Sequence, residues 1–254
     1  PSSSTNGLRR HLVSDKLPAM STIKVVEVGE ALDIASVVAV ARHNAPVEIG
    51  TSGRSALQRA RAVVDGFLQD TAVARYGINT GFGALAETRI SNDDLSELQH
   101  RLIRSHAVGV GEPLSREATR GLMLLRAHVL CLGYSGVREI VVERLVALLN
   151  AGVHPVIPSK GSVGASGDLA PLAHLALTLI GEGPAEYRGE ILEGGDAMSA
   201  VGLEPLRLDA KEGLALINGT QGMLAIGSLV LDRAVMLTAT ADVTGAMSLE
   251  ALKG

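Results

Sequence analysis

A chain of 254 residues that is 46% hydrophobic but only 2% aromatic can bury one large core or two modest ones, built from Leu, Val, Ile and Ala, and its composition excludes disorder. A formal net charge of −4, with Lys and Arg scattered along the chain, excludes the clustered basic surface that a nucleic-acid backbone demands. The single cysteine, Cys131, cannot form an internal disulfide; it lies in an apolar helical stretch and reads as a buried small hydrophobe, which fits a reducing, cytoplasmic setting.

Residues 1–19 are polar, Ser-rich and aperiodic, and Met20-Ser21-Thr22 resembles a natural start behind a disordered or vector-derived extension. Thr22 to Val28 alternates as a short strand that ends at Gly29. Apolar residues at helical spacing then predict helices near 30–43, 54–70, 92–107, 115–133, 137–151, 168–182 and 208–245. Residues 182–206 are broken by Gly and Pro and predict an excursion with a small hairpin at Tyr187-Arg-Gly-Glu190. The last helical pattern stops at Lys253-Gly254 without a cap, as if the chain were cut. No apolar run of membrane-span length stands out and no hydrophobic N-terminal signal precedes the fold, so no membrane partner is expected. The expected fold is mainly α. An N-terminal helical domain with few short strands, residues 20–110, leads into the start of a long central helical bundle, residues 111–254.

Between the helices lie Gly-rich loops at 76–83, 109–113 and 161–167. The last holds Gly164-Ala-Ser-Gly167, small enough for the main chain to fold back tightly, because Gly occupies backbone conformations closed to residues with a Cβ. Asp168 stands where a helix N-cap belongs and Pro171 in the first turn, so the small-residue turn sits on a helix N-terminus whose open amides favour negative charge. By itself such a run is a helix-start turn or an anion site.

The longer run Gly161-Ser-Val-Gly-Ala-Ser-Gly-Asp-Leu-Ala-Pro-Leu-Ala-His174 resembles the active-site motif of the histidine and aromatic amino acid ammonia-lyases. Three companion segments agree in order and spacing: Tyr76-Gly-Ile-Asn-Thr-Gly-Phe-Gly83, Arg104-Ser-His-Ala-Val-Gly-Val-Gly111 and Leu214-Ala-Leu-Ile-Asn-Gly-Thr-Gln221. The likeness covers nearly everything from residue 23 onward. It implies that Ala165, Ser166 and Gly167 condense autocatalytically into a methylidene-imidazolone ring, with no diffusible cofactor and no metal. The residue chemistry agrees: the attacking amide needs an unhindered Gly, and only Ser in this triad can lose a hydroxyl to leave a methylidene carbon.

The resemblance also implies that Tyr76 removes the substrate β-proton, for which the site must favour phenolate, through the positive ends of helices. Alone, a Tyr beside Gly is a loop anchor. The Asn79 to Gly83 tail reads as a mobile lid, with Phe82 pinning it. Ser105 and His106 would face the substrate side chain; a His in the last turn of a helix is otherwise a capping or buried residue. The Ser-His pair is typical of histidine ammonia-lyases, although bacterial tyrosine aminomutases can carry it too; the flanking Thr80 to Ile90 and Ala210 to Gln221 look like the histidine enzymes. Asn218 would aim its amide at the ring carbonyl or the substrate amine, or else serve as a buried polar residue at a helix kink at Gly219. Gln221 is a further substrate-binding candidate, and Asp168 either assists ring formation or only caps its helix.

The implied reaction is deamination of L-histidine to trans-urocanate and ammonia. The alternatives are a tyrosine ammonia-lyase or tyrosine 2,3-aminomutase with the same ring, and a catalytically silent fragment that serves only in assembly. The resemblance further implies a longer complete protein, a homotetramer or a companion C-terminal chain that finishes the active site, and weak or no activity from residues 1–254 alone. Apolar faces left open would favour self-association or partner helices.

Overall fold

The computed structural model describes residues 24–69, 73–81 and 90–254. The expectations for the N-terminal extension, for Met20-Ser21-Thr22, and for Phe82 and Gly83 lie outside them. The fold is mainly helical, as expected, and its axis is α4 (Arg116–Cys131). The Ser115 side chain caps that helix by accepting from the Ala118 N–H, and Glu117 places a negative charge in its first turn. Leu122, Met123, Leu124, Leu130 and Cys131 have no exposed surface. A helix buried on most of its faces forms the middle of the core.

Around α4 pack α1 (Ile34–His43), α2 (Thr51–Gln69), α5 (Glu139–Ala151) and α9 (Gln221–Leu252). A parallel pair, β1 (Val26–Val28) and β2 (Val47–Ile49), joins them in the register Val26 to Val47 and Val28 to Ile49. Gly29 and Gly53 close over Cys131: a Cβ on Gly53 would stand 3.2 Å from the Cys131 Cβ. Near the other end, Gly121 lets α9 approach, since a Cβ there would stand 3.2 Å from the Ala225 Cβ. Arg42 ties α1 to α4 and α9 through Glu117, at 2.8 Å, and Asp232.

A second layer is made by α3 (Asn92–His106), α6 (Leu169–Leu179) and α8 (Glu212–Ile217), each packed on the other two. Short antiparallel pieces flank it: β3 (Val110–Pro113) with β5 (Pro158–Lys160), and β4 (Val153–Pro155) with β6 (Pro184–Tyr187) and β7 (Glu190–Glu193). The β6–β7 hairpin turns at Arg188-Gly189, as the sequence predicts, and leads into the short α7 (Gly194–Ser199), which it does not. Glu212, fully buried, accepts from Arg138 Nε at 2.8 Å and Nη2 at 2.7 Å and from the Asp209 N–H at 2.8 Å, which locks α8 to the start of α5.

Three expectations are corrected. The helix expected over 208–245 is two helices, because Asn218 is extended and the Gly219 carbonyl is taken by the Asp168 N–H at 2.6 Å; a tertiary hydrogen bond overrides local propensity. The end of α9 is capped: Lys253 is left-handed, its N–H bonds to Glu250, and the Gly254 N–H bonds to Leu249 at 2.9 Å. Finally, an 18-residue window within Glu212–Leu252, with a mean hydropathy of 1.6 and 39% of it buried, is apolar enough by length and composition to cross a membrane. Beyond Leu229 most of α9 is exposed, including Val235, Met236, Leu237, Val243, Met247 and Leu249.

Burial pushes His100, His128, His154 and His174 below the ordinary histidine value. Each ring also accepts a hydrogen bond that needs a nitrogen lone pair: from the N–H of Leu208 at 3.4 Å, of Gly29 at 3.3 Å, from Arg120 Nη1 at 3.0 Å, and from the N–H of Gly109 at 3.1 Å. The unfolded chain therefore binds more protons than the folded one as pH falls through about 6.5, so these groups contribute stability that is complete above that pH and lost below it. The melting temperature should be level from pH 8 to 7 and fall between pH 7 and 5 in calorimetry. A level or rising value across the lower interval would contradict this account.

Candidate active site

The α3–α6–α8 seam opens into a cavity of about 670 Å³. Tyr76, Ser105, His106, Ser166, Leu169 and Asn218 are among the residues that line it. Side chains predicted from four separate segments thus meet in one place. Ala165 and Ser166 are exposed, whereas Gly167 and Asp168 are buried directly behind them.

The triad turn is shaped by what lies against it. Gly167 has φ +104°, a conformation that L side chains rarely adopt, and a Cβ there would stand 2.9 Å from the Gly219 carbonyl carbon. Only glycine meets both demands. Asn218 Nδ2 donates to the Ser166 carbonyl at 2.8 Å and to Ser166 Oγ at 3.2 Å. Asn218 is exposed, so it is not the buried polar residue of a kink; the elbow Asn218-Gly219-Thr220 carries it to the cavity wall.

Asp168 occupies the N-cap position of α6, but its side chain makes no capping bond to that helix. Its Oδ1 accepts from Ser162 Oγ at 2.7 Å and its Oδ2 from the Met223 N–H at 3.0 Å. The carboxylate therefore caps α9 instead, where a negative group offsets the positive end of the helix. Gly222 makes room for it: a Cβ there would stand 3.1 Å from Asp168 Oδ2.

Tyr76 stands on a turn whose base is knit by its neighbours. Buried Asn79 accepts from the Arg75 N–H at 2.6 Å and donates to the Val73 carbonyl at 3.0 Å, and Thr80 Oγ1 accepts from the Gly77 N–H at 3.3 Å. Side chain to backbone bonds of this kind stabilise turns, so within the described residues Asn79 and Thr80 anchor the loop that the sequence reading treats as a lid. On α3, the carbonyl of Leu102 accepts from Ser105 Oγ at 2.8 Å and from His106 Nδ1 at 2.8 Å. A proton on Nδ1 leaves the His106 Nε2 as the acceptor of a neutral ring.

Gln221 is not among the lining residues. It is buried, and its Oε1 accepts from Arg126 Nη1 at 2.7 Å. Two residues that the sequence reading passed over support the site from behind. His174 holds the Gly109 N–H just beyond His106, and Arg126 donates from both Nη atoms to the Asn218 carbonyl at 3.2 Å. The available signal for Arg126 was a lone cation inside the apolar run Leu122-Met-Leu-Leu-Arg-Ala127.

The family model described as aromatic amino acid lyase matches residues 32–254. This chain belongs to the aromatic amino acid lyase family. Similar curated lyases include the histidine ammonia-lyases of Gloeobacter violaceus, 52% identical over 89% of this chain and 44% of that protein, and of Anaeromyxobacter sp. strain K, 54% identical over 89% and 46%. The chain thus spans less than half the length of these relatives. Among solved lyase-family structures, histidine ammonia-lyase from Trypanosoma cruzi superposes with a TM-score of 0.85 at 42% identity, covering 91% of this chain and 44% of that one. Tyrosine aminomutase from Streptomyces globisporus gives 0.84 at 39% identity, covering 91% and 43%.

In this chain, Gly167→Ala should cost more than about 1 kcal/mol from the backbone conformation alone, with a further cost for displacing the Gly219 peptide. Urea denaturation measures it. A variant within about 0.5 kcal/mol of the parent, the usual range of a neutral surface change, would show that the turn does not press on the elbow.

Proposed function

We propose that this chain carries the electrophile-forming part of a histidine ammonia-lyase that converts L-histidine to trans-urocanate and ammonia. The observation that carries the proposal is the amide of Asn218 held on the Ser166 carbonyl, the oxygen that cyclisation of Ala165, Ser166 and Gly167 would make the ring carbonyl. The glycine-only space at Gly167 and the exposed Ser166 hydroxyl fit the demands of that ring. Once formed, the methylidene-imidazolone supplies an electrophilic carbon to the substrate amine, so that nitrogen becomes able to leave.

The chain's own groups do the rest. Asn218 Nδ2 would hold negative charge at the Ser166 oxygen as a preorganised donor. Tyr76, which lines the same cavity, would take a proton from the substrate's β-carbon. With its Nδ1 proton committed to Leu102, His106 offers Nε2 as an acceptor, which suits the N–H of an imidazole. The same acceptor suits a phenol O–H, and the likeness to tyrosine aminomutase supports that second reading.

We further propose that the exposed apolar length of α9 is covered in the assembled enzyme by other copies of this chain, as a homotetramer, or by a companion C-terminal chain. Side chains such as Leu237 and Leu252, 70% and 81% exposed, would otherwise leave a large apolar surface in water. The isolated chain is then weakly active or silent.

Incubating the assembled protein with L-histidine and, separately, with L-tyrosine distinguishes the readings by product absorbance. Urocanate from histidine with tyrosine inert is expected, and consumption of tyrosine alone would reverse the assignment. Ser166→Ala should abolish both ammonia release and the mass deficit of two waters; ammonia release at the parental rate from that variant would end the proposal.

A further inference from the structure

Behind the Asn218 elbow lies a cation with no part in the steps above. Arg126 projects from the middle of α4 and is 1% exposed. Among the described residues it pairs with no carboxylate, and its Nε has no acceptor. Burial pushes the guanidinium down to about 10, so it remains charged at neutral pH. A buried cation is costly unless its surroundings satisfy it, and here its two Nη groups do so through one backbone carbonyl, that of Asn218, and one amide oxygen, that of Gln221.

The Asn218-Gly219 segment is therefore held from two sides. On the cavity side it meets the triad twice, at the Ser166 carbonyl through Asn218 Nδ2 and at Gly167 through the close Gly219 carbonyl, and the next residue once, at the Asp168 N–H through the same carbonyl at 2.6 Å. On the core side it meets Arg126 and Gln221 so closely that a Cβ on Gly219 would stand 3.0 Å from Gln221 Cδ and inside contact distance of Arg126 Nη1. The segment has no slack in either direction.

We infer that Arg126 is a positioning residue for cyclisation of the triad: its fork on the Asn218 carbonyl holds the elbow against Gly167, keeping the Gly167 nitrogen in reach of the Ala165 carbonyl carbon. The inference rests on the reading of Ala165-Ser166-Gly167 as a ring precursor. In the step it serves, a bond forms between Gly167 N and Ala165 C, and the Ala165 oxygen departs as water with the hydrogens of the Gly167 and Ser166 amides, leaving a double bond from Ala165 C to Ser166 N. A second water takes the Ser166 hydroxyl and its Cα hydrogen, leaving Cα doubly bonded to Cβ. Both steps are dehydrations, so no oxidant or co-reactant enters.

Intact mass, followed over time on freshly produced protein in its assembled form, reads the loss of two waters directly and does not depend on turnover. The parent should be fully dehydrated. Arg126→Met, with parental helicity and assembly, should dehydrate about 100-fold more slowly, the scale expected for a misplacement near 1 Å. Arg126→Lys, which keeps a cation but not the fork, should fall between them. Gly219→Ala, which forces the fork away from the elbow side, should repeat the Arg126→Met result. A folded Arg126→Met that dehydrates at the parental rate while melting earlier would assign Arg126 to stability alone and overturn the inference, as would failure of all three variants to fold. A parent that never loses water would instead remove the ring reading itself.

Discussion

The structure depends on a helix that brings charge into the core and spends it on the ends of other helices. Arg120 and Arg126, 2% and 1% exposed, both rise from α4. Arg120 donates to the carbonyls of Val40 at 2.9 Å and Leu149 at 3.0 Å, in the last turns of α1 and α5, and Arg126 to the carbonyl of Asn218 at the end of α8. The final carbonyls of a helix lack partners within it and carry its negative pole, so a guanidinium there satisfies bonds and opposes the dipole together. In this way α4 satisfies carbonyls at the ends of three helices. One of those ends is the wall of the candidate site.

The site is thus referenced to the core more than to its own loops. The turn at Ala165-Ser166-Gly167 is exposed on one side and bears on the Gly219 peptide on the other. The Asp168 carboxylate links the same turn to the first turn of α9, since it holds the Met223 N–H. The polar residues that line the cavity are few and of separate kinds, a phenol, an imidazole, two hydroxyls, one amide and the Arg101 guanidinium, set among leucine and isoleucine side chains. Apart from Tyr76, they stand on or beside α3, α6 and α8, which pack on one another.

Much of this was legible in the sequence, unevenly. Helical periodicity located α1 to α6 to within a few residues, and Tyr187-Arg-Gly-Glu190 marked its hairpin through turn chemistry. Of the strands of three residues, β1 was read from its alternation, whereas β2, β4 and β5 carried too little periodicity to register. The break at Asn218 was hidden because Leu214-Ala-Leu-Ile and Gln221-Gly-Met-Leu are both helical in character; what parts them is a hydrogen bond to Asp168, far away in sequence. The Asp168 position was legible, but the direction of its side chain was not, since that depends on α9 standing beside α6. The site residues were found by motif, and periodicity alone would have read each as an anchor, a cap or a kink. Arg126 was visible as a cation in an apolar run, yet its partner carbonyl lies 92 residues away and could not be read from spacing.

The lone cysteine offers a use that follows from its place in this core. Cys131 ends α4 with no exposed surface, under the closely packed Gly29 and Gly53, and burial pushes its thiol up to about 12. The thiolate is the form that attacks alkylating reagents, and it is scarce here at any physiological pH and shielded besides. Modification must wait until β1 and α2 swing clear of α4. The rate at which a fluorescent maleimide accumulates on the otherwise thiol-free chain would therefore time the breathing of that corner, with no mutation required to install the probe.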